Sequence, residues 1–166
     1  MRKAPSGMTT RLKVADQVWI ATAMLHRAHP DRADFTVSEI VGEVRRSLSG
    51  EYRHSIRVHA LQHCVATLPP VSGAYRMLTW TSSNTRRLFR SGDGTAPGRK
   101  GKIVPQRSEI PSQYHELLDW YVSEYDTAAR GSAELDGLLA LRGSGKELWA
   151  GEHADAYVAR LRDGWV

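Results

Sequence analysis

The apolar rhythm of this chain changes at Pro69-Pro70, and that change limits what the chain can fold into. Ahead of the two prolines, apolar residues recur every three to four positions, as on one face of a helix. Behind them the period is two, as in a strand with one buried face. Proline has no N–H to donate and its ring clashes inside a helix, so the pair is a firm stop. Helices followed by a hairpin predict a mainly α chain with a small β element, of the α+β class.

Three helices are predicted before the stop. From Leu12, the positions Val14, Val18, Ala21 and Leu25 form a stripe that Trp19 and Ile20 widen, and Pro30 bars its continuation. The second helix opens on Thr36-Val37-Ser38-Glu39. This spacing fits a capping box, with Phe35 and Ile40 placed as a hydrophobic staple. It runs to about Leu48, where Ser49-Gly50 supplies an end. The third spans His54 to Thr67, with Ile56, Ala60, Cys64, Leu61 and Leu68 inward and Arg53, Arg57, His59, Gln62 and His63 outward.

Beyond the stop, Tyr75–Trp80 and Arg87–Arg90 read as strands joined through residues 81–86. Ser91 to Lys102 contains four glycines and a proline beside Arg99, Lys100 and Lys102, the composition of a mobile basic loop. Pro111 then opens a helix whose apolar face is Tyr114, Leu117, Leu118, Tyr121 and Tyr125. Residues 128–133 have linker composition. After them Leu135, Leu138, Leu139 and Leu141 cluster, and residues 152–163 fit a short amphipathic helix. The expected organisation is a disordered start over 1–10, a body over 11–126, a linker over 127–134 and a tail over 135–166. The elements of the body are the parts of a winged helix-turn-helix.

Charge is also divided along the chain. Residues 1–107 carry 18 Lys/Arg against 7 Asp/Glu, and residues 108–166 carry 5 against 11. A basic body of this kind points to a polyanion, and double-stranded DNA is the partner expected. The third helix would enter the major groove with Arg53, His54, Ser55, Arg57, Gln62 and His63. Arg86, Arg87, Arg90, Arg99, Lys100 and Lys102 would grip phosphates as a wing. The plainer alternative is an ordinary solvated helix face and a basic loop that aids solubility. Trp149, Tyr157 and Trp165 are too many large aromatics for a tail of about thirty residues to bury alone. They call for the body, a second copy or another protein.

Catalytic sets are not found. His59 and His63 share a helix face beside Cys64, but zinc normally takes four ligands and no other cysteine exists. Gly143-Ser144-Gly145-Lys146-Glu147 has neither the glycine spacing nor the Ser/Thr of a phosphate loop. No paired carboxylates or nucleophile–base pair emerge from spacing, so neither an enzyme nor a cofactor nor a metal is expected. The basic start lacks the apolar core of a signal peptide. No apolar run approaches the roughly 18 residues of a membrane span. With Cys64 as the single cysteine, the expected compartment is the cytoplasm.

Two resemblances attach to these residues. Residues 12–126 resemble an uncharacterised bacterial family with a winged-helix-like domain. The likeness runs through Val18-Trp19-Ile20-Ala21-Thr22-Ala23, Phe35-Thr36-Val37-Ser38-Glu39-Ile40-Val41, His59-Ala60-Leu61-Gln62-His63-Cys64-Val65-Ala66 and Gly101-Lys102-Ile103-Val104-Pro105. Residues 135–165 resemble the C-terminal segment of type II antitoxins of the VapB kind, through Leu138–Trp149 and Asp155–Trp165. That likeness implies a transcription-regulating antitoxin whose tail wraps a ribonuclease-like toxin. Leu148, Trp149, Tyr157, Leu161 and Trp165 would be its apolar anchors, and Arg160 or Arg162 the residue offered to the toxin's acidic site. Such antitoxins carry a small swapped-hairpin or ribbon domain, whereas this body is larger and helical. The rival is a non-enzymatic interaction or oligomerisation module, its tail docked on its own body or on a second copy in a homodimer.

Overall fold

The computed structural model describes residues 12–48, 54–71, 73–127 and the single residue Arg162. The chain divides into two compact units, Met1–Thr127 and Ala128–Val166. The first unit is α+β, with helices around a three-stranded antiparallel sheet. Among the described residues no helix is long and apolar enough to cross a membrane.

Helix α1 (Val14–Ala28) is the axis of the core. Val18, Trp19, Ile20, Ala21 and Ala23 are all fully buried, so this helix is buried nearly all round rather than along one stripe. Phe35 and Thr36 form β1, and α2 (Val37–Ser47) starts directly on it. The predicted capping box is present. The Thr36 hydroxyl accepts from Glu39 N–H at 3.2 Å, and the Glu39 carboxylate accepts from Thr36 N–H at 2.8 Å. Phe35 and Ile40, the staple residues, both lie in the core. Arg32 adds a two-pronged ion pair to Glu39, and its hydrogen bonds hold that carboxyl down to about 2.

The third helix, α3 (His54–Val58), continues as a π turn over His59–His63 and ends at Cys64, three residues short of the predicted limit. The cause lies in the next residues. Val65 forms a parallel bridge with Leu78, and Ala66 N–H donates to Leu78 O at 2.8 Å, which commits the chain to the sheet. Strands β2 (Leu78–Trp80) and β3 (Thr85–Leu88) form the hairpin, and the sheet order is β1-β3-β2. Both strands differ from the predicted spans. Arg76 N–H donates to Lys102 O and Gly101 N–H to Ala74 O, so residues 74–76 are held by the later segment instead of by β3. The strand β1 is too short to leave a periodic signal; its two residues pair with Arg86 and Thr85.

Helix α4 (His115–Trp120) is preceded by a 3-10 turn at Ser112–Tyr114 and runs on as a second π turn, Tyr121–Tyr125. Wider than an α turn, this π turn brings residues four apart almost into register. Tyr121 and Tyr125 stack with centroids 5.7 Å apart at 23°. Their hydroxyls donate to adjacent carbonyls, Phe89 O at 2.5 Å and Leu88 O at 3.1 Å, and so latch α4 to the end of β3. Trp19 meets Tyr121 edge-on at 5.7 Å.

His26 is buried between Phe35 and Tyr125, each at 4.9 Å, and Leu88 N–H donates to its Nε2 at 3.4 Å. Burial, followed by the nearby Arg90 and Arg87 charges, lowers its pKa to about 4. In the unfolded chain the ring protonates near the usual 6.5. Its contribution is therefore complete above that pH and is lost as pH falls from there through the folded value. Urea melts from pH 6.5 to 5, above most carboxylate titration, should show stability falling by roughly 1 kcal/mol per pH unit. His26→Gln should flatten that slope.

Candidate nucleic-acid interface

Strand parity decides where the hairpin cations go. Arg86 pairs with Phe35 on one side and Trp80 on the other, and shares its face with buried Leu88. It therefore points to the core, where it is only 1% exposed. Its guanidinium donates to Ser82 O at 2.9 Å, Thr85 O at 2.7 Å and Leu61 O at 3.3 Å, and lies 4.7 Å from the Trp80 ring centroid. Burial pushes its pKa down from the usual value.

Arg99 is more deeply committed. All its guanidinium nitrogens donate to backbone carbonyls: Nε to Leu68, Nη1 to His63 and Tyr75, and Nη2 to Gln62 and Pro69, at 2.7–3.0 Å. A segment rich in glycine is what lets the chain come close enough. At Gly101 an added Cβ would sit 2.6 Å from Ala74 O, so no side chain fits.

Three of the other expected wing cations also have internal partners. Arg87 makes a bidentate pair with Asp93, which also accepts from Thr79 Oγ1 and Arg90 N–H. Burial works to raise the Asp93 pKa, but these donors prevail and hold it below the ordinary range. Arg90 lies over the Tyr125 ring at 4.4 Å. Lys102 Nζ stands 2.7 Å from both Asp16 Oδ1 and Glu109 Oε2. Asp16 is wholly buried, and burial raises its carboxyl pKa against the opposing pull of Lys102.

The expectation of a mobile, phosphate-gripping flap is corrected accordingly. Arg86, Arg87, Arg90, Arg99 and Lys102 hold the body together, and of the six cations assigned to the wing only Lys100 is exposed with no partner among the described residues. Glycine and lysine in one stretch read as a flap, yet buried carbonyls at the end of α3 needed a donor there.

The third helix is different. Ile56, Ala60 and Cys64 are buried, and burial pushes the Cys64 thiol far above its usual range. On the other side Arg57 and Gln62 are exposed, and their side chains make no hydrogen bond to any described residue. Ser55, His59 and His63 are half-buried. His59 Nδ1–H donates to Ser55 O at 2.8 Å, and its ring meets His63 edge-on at 4.6 Å. Burial first, then His59 and Arg99, lowers the His63 pKa. His54 opens the helix; its side chain, like Arg53, lies outside the described residues. So do Leu148, Trp149, Tyr157, Arg160, Leu161 and Trp165, while Arg162 is helical and exposed.

One residue beside this helix was not anticipated. Trp80, at the end of edge strand β2, is 42% exposed, next to the exposed turn Thr81–Asn84. Its parity with Leu78 would have marked it as the point where the core face runs out into solvent. No family model, curated protein or solved structure matches the chain.

Arg99→Ala should cost roughly 3–5 kcal/mol in urea denaturation, the usual range for unpairing a buried charge network. Arg99→Lys should recover little, because an ammonium cannot fill a five-donor fork. Lys100→Ala should stay within about 0.5 kcal/mol. Equal effects at the two positions would return both cations to the surface.

Proposed function

We propose that the first unit is a winged helix-turn-helix that binds double-stranded DNA through α3, and that the chain is a transcription regulator of the antitoxin type. The order helix–strand–helix–helix–strand–strand, with β1 joined to β3, supports the winged-helix reading. The observation that carries the DNA reading is the asymmetry of α3. One face is sealed into the core, and the other presents the side chains of Arg57 and Gln62 to solvent with no partner among the described residues. Arg and Gln are side chains that read guanine and adenine edges in the major groove. The acidic balance beyond residue 107 supports a separate, partner-binding role for the tail.

Fluorescence anisotropy of the full chain with a panel of duplexes tests the first part. Affinity should fall steeply with salt. Arg57→Ala should weaken some sequences and spare others, by about 1–3 kcal/mol for a lost base contact. Lys100→Ala should weaken all duplexes alike and lower the salt slope by about one. Absence of binding at tens of micromolar in low salt would remove the DNA reading. For the tail, Trp149→Ala with Trp165→Ala should abolish capture of a co-expressed PIN-type ribonuclease encoded beside the chain, while leaving duplex affinity unchanged.

A second reading, an oligomerisation module, draws on an apolar groove of about 390 Å³ lined by Met24, Ala28, Tyr114 and Leu117, with Arg27 and Glu116 among its polar residues. Sedimentation of the full chain separates the two: a stable dimer without duplex affinity favours this one.

A further inference from the structure

We propose that Trp80 is an apolar wedge that enters the DNA minor groove and unstacks a flexible base step, so that the hairpin contributes affinity without charge. The inference rests on the DNA-binding reading above and goes beyond it, because it assigns the hairpin a contact of a different physical kind from that of α3.

Three observations lead there. First, the hairpin tip has no cation to offer. Residues Leu78 to Thr85 contain no Lys or Arg, and Arg86, Arg87 and Arg90 are turned to internal partners. What the tip does expose is Trp80 followed by Thr81, Ser82, Ser83 and Asn84, one large ring and a row of small polar groups. Hydroxyl and amide side chains suit sugar and phosphate oxygens, and apolar side chains are the ones proteins insert between base steps from the minor groove.

Second, the ring is held. A lone exposed tryptophan is ordinary, but this one rests on a guanidinium that is itself 1% exposed and fixed by three carbonyls. Two of those carbonyls, Ser82 and Thr85, belong to the hairpin turn, and the third, Leu61, belongs to the π turn that ends α3. Trp80 N–H also faces Thr67 Oγ1 at 3.4 Å. The ring position is thereby set relative to the reading helix before any ligand arrives, which reduces the ordering cost of binding.

Third, Arg86 is an expensive residue to bury for a hairpin that needs only its strands. Its Nε has no partner among the described residues, and its charge is desolvated. A leucine there, like Leu88 two residues on, would pack the same face at lower cost. Backing an aromatic ring with a cation while tying it to α3 is a role that leucine cannot fill.

The test compares the full wild-type chain with Trp80→Thr, which keeps strand propensity, and Trp80→Phe, which keeps a ring. The probes are duplexes with a central TpA step, carrying 2-aminopurine in place of its adenine, and matched A-tract duplexes without a flexible step. Wild type should bind the TpA duplex and brighten the 2-aminopurine as the step unstacks. Trp80→Thr should lose about tenfold to a hundredfold in affinity, the range for a lost base–aromatic contact. Its slope of log affinity against log salt should be unchanged, and it should leave the probe dark. Trp80→Phe should retain most of both signals. Thermal melts of the variants exclude global unfolding as the cause; if Trp80→Thr melts early, Trp80→Phe against Trp80→Met carries the same comparison. Equal affinity of Trp80→Thr and wild type overturns the wedge while leaving DNA binding intact. So does a loss that appears only as a lower salt slope, or a probe that stays dark with wild type. Failure of wild type to bind any duplex overturns both readings.

Discussion

The end of the third helix is where this fold is tied together. A helix leaves its last carbonyls without partners, and burying them unpaired costs about 1–3 kcal/mol each. Here three successive carbonyls, Leu61, Gln62 and His63, each meet a buried guanidinium, Arg86 for the first and Arg99 for the other two. Cations are also the favoured charge at that end of a helix dipole. Arg99 extends the same fork to Leu68, Pro69 and Tyr75, so the turn past Pro69-Pro70 and the entry to the sheet hang on one side chain. The flap that carries Arg99 is held in place by this reach, and Gly101 and Lys102 then dock the chain against Ala74 and Asp16.

Local chemistry was readable wherever it is settled within a few residues. The capping box needs only Thr36, Glu39 and the backbone between them, and it formed as the spacing required. The inward positions of the third helix, Ile56, Ala60 and Cys64, and the apolar face of α4 also follow from period alone. What failed were features whose partner is distant in sequence. Arg99 stands 37 residues from Gln62, and no pattern within the loop announces that acceptor. The two residues of β1 carry no period, and their strand character comes from Thr85 and Arg86 some fifty positions later. Parity could have been used for Arg86, since alternation with Leu88 already places it on the core face.

Net charge was the least transferable sequence signal. A balance of +11 over residues 1–107 suggests a surface ready for phosphates, but a charge count does not say which charges are free. Lys13 and Lys102 share Glu109, Arg107 meets Asp119, and Arg46 meets Glu43. With the hairpin arginines inside as well, the exposed electrostatic contribution to any polyanion contact falls on fewer groups, Arg57 and Lys100 among them. The salt dependence of binding would then be set by a handful of contacts rather than by the whole basic count.

This redistribution changes what the hairpin is able to do. A wing of mobile lysines adds affinity without geometry, because long cations find phosphates from many orientations. A hairpin whose arginines are bonded to the end of the third helix and to Asp93 is instead a rigid attachment to that helix. Motion of one should carry the other, since the guanidinium of Arg86 bonds both and the Tyr121 and Tyr125 hydroxyls fix the strand exit behind it. The exposed side of the third helix is therefore presented with Trp80 at a set distance and orientation. Arginines that look like DNA ligands in the sequence thus act within the fold, by holding the hairpin and the end of the third helix in one geometry.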